Sequence, residues 1–125
     1  MATVKLFDSE MKIMEIIWEF EPISAKQISE LAAQKIGWHK NTTYTVISKL
    51  IQKNALLRAD PGYICTSLIK QDDVKNAVTA SLINKFYGGS KKALFASFLD
   101  ENEFTPAELD DLAVMIQRRK NIEAK

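Results

Sequence analysis

The run Trp38-His39-Lys40-Asn41-Thr42-Thr43-Tyr44-Thr45-Val46-Ile47-Ser48-Lys49-Leu50 decides the fold. With Asn41 at zero and about 100° of turn per residue, Thr45, Ser48 and Gln52 fall within about 40° of it on a helix, and Thr42, Tyr44 and Lys49 flank them. Thr43, Val46, Ile47 and Leu50 take the other side. One face is thus a dry anchor, and the other is a row of hydroxyl, amide and ammonium groups. Those groups suit a nucleic-acid duplex: hydroxyls and Lys reach phosphate oxygens, Asn and Gln pair with adenine, and the Thr methyl meets that of thymine. The competing reading is an exposed amphipathic helix, whose outer face is also polar. Its usual filling is Glu, Lys and Ala, whereas this helix carries three Thr and a Ser, which are poor helix formers.

Charge along the chain bears on the same choice. The net charge is only +1, from 17 basic and 16 acidic residues, yet no acid stands between Glu30 and Asp60, where Lys35, Lys40, Lys49, Lys53 and Arg58 all fall. Such a stretch faces either a polyanion, through counterion release, or solvent, and charge alone does not separate the two.

Outward from this helix the pattern stays helical. Met11, Met14, Ile17 and Trp18, with Ile13, Ile16 and Phe20, predict a helix from Asp8 or Ser9 with a wide apolar face, interrupted at Pro22. Ser24-Ala25-Lys26-Gln27 reads as a capping box opening a second helix, with Ile28, Leu31 and Ala32 inward and Gly37 as its C-terminal cap. Only a few residues then precede the third helix, Lys40 to Asn54, a helix-turn-helix arrangement. Past Asn54 the period changes. Leu56-Leu57-Arg58, the turn Asp60-Pro61-Gly62 and Tyr63-Ile64-Cys65-Thr66 predict one small hairpin. The expected fold class is mainly α: a winged helix-turn-helix over residues 1–70, followed by a helical dimerisation segment over 71–125. Lys40, Lys49 and Lys53 are expected to hold phosphates. Asn41, Thr42, Tyr44, Thr45 and Ser48 are expected to contact bases or position the helix, with Arg58 and Tyr63 supplied by the wing.

In the last third, a helix from Asp72 to Tyr87 carries Val74, Ala77, Val78, Leu82 and Phe86 and ends at Gly88-Gly89. Ser90 caps a short helix with Leu94, Phe95, Phe98 and Leu99, and Thr105-Pro106-Ala107-Glu108 opens the last one. Three short helices of about 50 residues fall below the size at which a monomeric core suffices. A second copy is the expected cover, with Val78, Leu82, Phe86, Phe95, Phe98 and Leu99 in a homodimer interface.

Other chemistry lacks its residues. One Cys and one His cannot assemble a thiolate or imidazole metal cluster within a chain, so no metal and no cofactor are expected. His39 reads as a cap or phosphate contact, Cys65 as a small buried hydrophobe, and Trp18 and Trp38 as packing. Gly88-Gly89 has no strand before it and no Lys-Ser/Thr after it, which argues against a phosphate loop. Asp72-Asp73 and Asp110-Asp111 sit at helix starts, where the dipole favours them. An enzyme is not expected. Met1 to Phe7 lack the apolar run of a signal peptide and no stretch is long and apolar enough to cross a bilayer, so a cytoplasmic protein without direct membrane insertion is expected.

Two stretches carry a family resemblance. Trp38 to Leu50, continued by Lys53-Asn54-Ala55, resembles the recognition-helix region of the penicillinase repressor (BlaI/MecI-type) family. Ile83-Asn84-Lys85-Phe86-Tyr87-Gly88-Gly89-Ser90 resembles the family's junction between two dimerisation helices. The resemblance implies a dimeric repressor on palindromic double-stranded DNA operators, released when a membrane sensor pathway triggers a protease that cuts the C-terminal part. The family's cleaved Asn-Phe bond aligns with Ser97-Phe98. Asn41 stands where well-known members carry a basic residue, the wing has fewer Arg, and the tail from Lys120 to Lys125 lacks the Cys residues of the copper-responsive branch. A winged-helix adaptor that binds another protein is the alternative of a different class; its helix face would prefer aromatic anchors over Thr and Ser.

Overall fold

A computed structural model of the chain describes residues 5–123. The first four residues of the Met1–Phe7 segment and the last two of the Lys120–Lys125 tail lie outside them. Helix α1, Asp8–Phe20, starts without a hydroxyl cap: the Phe7 N–H donates instead to Glu10 Oε1 at 2.8 Å, one half of a capping box. It stops before Glu21, whose extended backbone suits a residue preceding proline. Strand β1 is only Ile23–Ser24, and helix α2 is Ala25–Ile36. The expected box at its start is complete. Ser24 Oγ accepts the Gln27 N–H at 3.1 Å, and Gln27 Oε1 accepts the Ser24 N–H at 3.3 Å. At the other end Gly37 adopts φ 68°, ψ 24°, the left-handed cap that glycine takes without a Cβ penalty.

Helix α3, Lys40–Gln52, ends two residues before the expected Asn54. Asn54 itself is left-handed, φ 64°, a conformation Asn tolerates better than most residues, and the Ala55 N–H returns to the Leu50 carbonyl at 2.9 Å. Strands β2, Leu56–Ala59, and β3, Ile64–Ser67, form the expected hairpin. The unexpected β1 completes an antiparallel sheet of order β1-β3-β2, in which Cys65 pairs with Ile23 on one side and Arg58 on the other. The Glu21 carboxylate accepts the Ser67 N–H at 2.8 Å and hydroxyl at 2.9 Å, carrying β3 one residue past Thr66.

The core lies among these elements. Ile13, Met14 and Ile17 of α1, Ile28 and Ala32 of α2, Ile47 and Leu50 of α3, Leu56 and Cys65 are all buried in one cluster. Each fully buried aliphatic side chain of this size contributes about 1.5–3 kcal/mol relative to an exposed one. Trp18 packs on the cluster and donates its indole N–H to the Ile69 carbonyl at 3.0 Å.

Helix α4 is Gln71–Tyr87, α5 is Lys91–Glu101 and α6 is Pro106–Glu123. Two compact units divide the chain, Met1–Thr79 and Ala80–Lys125, so the division falls inside α4 and not at residue 70. On α4 the buried side chains are Val74 and Ile83, which lie on opposite sides of the helix at about 100° per residue. The expected stripe of Val78, Leu82 and Phe86 is exposed. In the second unit Ser90 Oγ accepts the Ala93 N–H at 3.0 Å, and Thr105 and Glu108 exchange both capping hydrogen bonds, at 3.0 and 3.1 Å. The hydrogen bond from the Thr105 N–H holds the Glu108 carboxyl below its ordinary value.

Candidate nucleic-acid interface

Helix α3 separates its two faces as its sequence predicts. Thr43, Val46, Ile47 and Leu50 are buried, whereas Lys40, Asn41, Thr42, Thr45, Ser48, Lys49 and Gln52 are exposed and Tyr44 is half-buried. The buried residues fix the helix on the core, so the exposed row is presented by a rigid element. Asn41, Thr42, Thr45 and Lys49 line a shallow groove with Val46, Trp38 of the preceding turn and Ser9 of α1. Trp38 thus does two things: it packs on the core cluster and forms one wall of the groove. Ser9 gives no sequence signal for this place, because it belongs to another helix.

Hydroxyl chemistry on α3 is partly committed. Thr45 Oγ1 donates to the Asn41 carbonyl at 2.9 Å, and the buried Thr43 Oγ1 donates to the His39 carbonyl at 3.4 Å. His39 occupies the N-cap position, but its exposed imidazole makes no capping hydrogen bond.

Lys53 is engaged within the fold. Its Nζ lies 2.6 Å from Glu10 Oε1, donates to the Lys5 carbonyl at 3.1 Å, and stands 4.4 Å from the centroid of the Phe7 ring. Glu10 is 2% exposed and Lys53 29%, so the pair sits largely out of water. Lys53 therefore anchors the N-terminal segment against α3. Sequence reasoning missed Glu10, since an acid in the first turn of a helix is ordinary.

On the wing, Arg58 Nε donates to the Asp60 carboxylate at 3.1 and 3.3 Å, and its Cζ lies 3.6 Å from the Tyr63 ring centroid. Tyr63 in turn meets Tyr44 of α3 edge to face, centroids 5.9 Å apart. Cys65, on strand β3 of the wing, is fully buried. Burial pushes its thiol pKa up, opposed in part by the nearby Arg58 charge. Among the described residues no cluster of three or more His, Cys, Asp or Glu could hold a metal ion, and no helix is long and apolar enough to cross a membrane.

The model of the family described as Penicillinase repressor matches residues 6–118. The chain belongs to the penicillinase repressor family. Among its relatives, the penicillinase repressor of Staphylococcus aureus is 30% identical over 111 residues, covering 87% of this chain and 88% of that one. The penicillinase repressor of Bacillus licheniformis is 24% identical over 119 residues, covering 94% and 93%. The methicillin resistance regulatory protein MecI of Staphylococcus aureus is 26% identical over 119 residues, covering 94% and 97%. Solved structures within the family agree on the winged fold. The solution structure of the DNA-binding domain of the repressor BlaI is similar at TM-score 0.51 and 25% identity, covering 58% of this chain and 93% of that one. Monomeric Bacillus licheniformis BlaI, solved in complex with the blaP half-operator, is similar at TM-score 0.52 and 25% identity, with the same coverage. The family and these relatives carry the names of repressors and of a regulatory protein, not of enzymes.

Proposed function

We propose that this chain is a cytoplasmic, sequence-specific DNA-binding transcriptional repressor that occupies palindromic operators as a homodimer. The exposed face of α3 carries the proposal: a row of Lys40, Asn41, Thr42, Thr45, Ser48 and Lys49, free of acid and seated on a buried apolar face. The likeness to BlaI solved with a half-operator supports the same reading. Lys40 and Lys49 hold phosphates. Asn41, Thr42, Thr45 and Ser48 face base edges or position the helix, and Tyr44, Arg58 and Tyr63 belong to the wing side of the interface. An adaptor role finds no aromatic or aliphatic anchor along Asn41, Thr45, Ser48 and Gln52.

The exposed apolar side chains of α4 and α5 support the homodimer. Phe86 is 73% exposed and Phe95 63%, and Val78, Leu82, Phe98 and Leu99 are exposed as well. A single soluble chain rarely leaves so much apolar surface in water. Release follows from a cut at Ser97-Phe98 by a protease of a membrane sensor pathway, which separates the two heads and removes the gain from binding both half-sites together. Selection of bound fragments from randomised duplex DNA tests the function: the expected yield is an inverted repeat, and a pool with no shared sequence contradicts it.

A further inference from the structure

Four side chains stand in file from the first turn of α3 to the wing. Lys40 Nζ lies 5.8 Å from the Tyr44 ring centroid, the Tyr44 and Tyr63 rings meet at 78° with centroids 5.9 Å apart, and the Arg58 guanidinium stacks on Tyr63 at 3.6 Å. Asp60 closes the file. Its carboxylate accepts from Arg58 Nε at 3.1 Å and from the Tyr63 N–H at 3.3 Å. Tyr63 adopts φ 51°, in the left-handed region that a bulky residue rarely enters, and this backbone carries the ring between Tyr44 and Arg58.

We propose that Tyr63 is a positioning residue that fixes Arg58 of the wing as a preorganised contact to the DNA backbone, set in register with the base-facing side of α3 through Tyr44. The inference rests on the DNA reading of α3. Only Nε of Arg58 is engaged with Asp60, so both terminal amino groups are left to meet two oxygens of one phosphate. An unsupported guanidinium would have to be ordered at the moment of binding; stacked on Tyr63 and oriented by Asp60, that of Arg58 is ordered beforehand. The edge-to-face contact ties that order to the recognition helix and not to the hairpin alone.

The test titrates the full chain against a labelled duplex recovered from randomised DNA, and against a scrambled duplex of equal length, over a range of potassium chloride concentrations. Arg58→Ala is expected to weaken binding to both duplexes about tenfold and to reduce the salt slope by about one for each protomer. Tyr63→Leu removes no charge, yet is expected to weaken binding by a similar factor, whereas Tyr63→Phe stays within about twofold because the ring is retained. Arg58→Lys, an exchange at an exposed position that keeps the charge, fails to restore affinity because an ammonium neither stacks nor forks. Melting curves of each variant separate loss of fold from loss of contact. The inference is overturned if Arg58→Ala leaves the slope unchanged, if folded Tyr63→Leu binds as the parent chain does, or if Arg58→Lys binds as tightly as Arg58. A parent chain that binds both duplexes without regard to salt contradicts the DNA reading itself, an outcome distinct from a normal slope that the Arg58 variants do not alter.

Discussion

Thr45 donates its hydroxyl proton to the Asn41 carbonyl, so toward a base it keeps only acceptor lone pairs and a methyl group. It can accept from an exocyclic amino group or touch the thymine methyl, whereas the Asn41 amide can both donate and accept. Replacing either by Ala is expected to relax preference at one or two base pairs by about 1–3 kcal/mol. Lys49→Ala instead weakens all sequences alike and lowers the salt slope by about one. Anisotropy titrations over a panel of single-base variants check both, and a uniform loss in all three variants contradicts base reading by Asn41 and Thr45. Lys53 has a different expected signature. Its loss leaves the Glu10 carboxylate buried with only the Phe7 N–H on the same oxygen and no partner on Oε2. Lys53→Met is expected to lower the urea-unfolding free energy by about 3 kcal/mol while leaving the salt slope of DNA binding unchanged. Cys65, buried and with its thiol pKa raised, is expected to resist alkylation in the folded chain at mildly alkaline pH and to react once urea unfolds it. Alkylation of the folded chain at the rate of a free thiol contradicts that placement. The two faces of α3 are legible in its sequence because burial follows the helical period. The Glu10–Lys53 pair is not, because its partners lie 43 positions apart and nothing in the sequence brings them together.

Helix ends form the clearest link between residues and elements. Ser24 with Gln27, Thr105 with Glu108, Ser90 and Gly37 each make the local hydrogen bond or dihedral that their identities demand. Removing a hydroxyl cap such as Ser24 by substitution with Ala is expected to cost about 1 kcal/mol in thermal or urea unfolding, and no measurable change contradicts the capping assignment. The strand β1 escapes the same reading because two residues have no period, and Ser24 serves there as both strand and cap. The end of α3 is displaced because Asn54 leaves the helix through the left-handed region, which Asn tolerates better than most residues. In α4 the apolar stripe predicts a covered face, and within one chain only Val74 of that stripe, with Ile83, is buried. Val78, Leu82 and Phe86 remain exposed in one chain, since a pattern of apolar positions does not say whether the cover comes from the same chain or from another.

At the scale of the molecule, the proposed homodimer has two heads joined through α4 to α6, which are expected to gain affinity for a palindrome by effective concentration, on the order of 100-fold to 10,000-fold over one head. A chain of residues 1–97 lacks Phe98, Leu99 and all of α6, and is expected to sediment as a monomer and to lose that gain while still binding a half-site. If it dimerises and holds the full palindrome as tightly as the intact chain, cleavage near Ser97 is not the switch. The proposed dimer and the proposed DNA-facing helix meet in one measurement. Titration of the intact chain against a selected palindromic duplex, its isolated half-site and a scrambled duplex, at several salt concentrations, is predicted to give two chains per palindrome, tighter binding to the palindrome than to the half-site, and affinity for all three that falls as salt rises. Equal affinity for the three duplexes, or affinity indifferent to salt, contradicts the account.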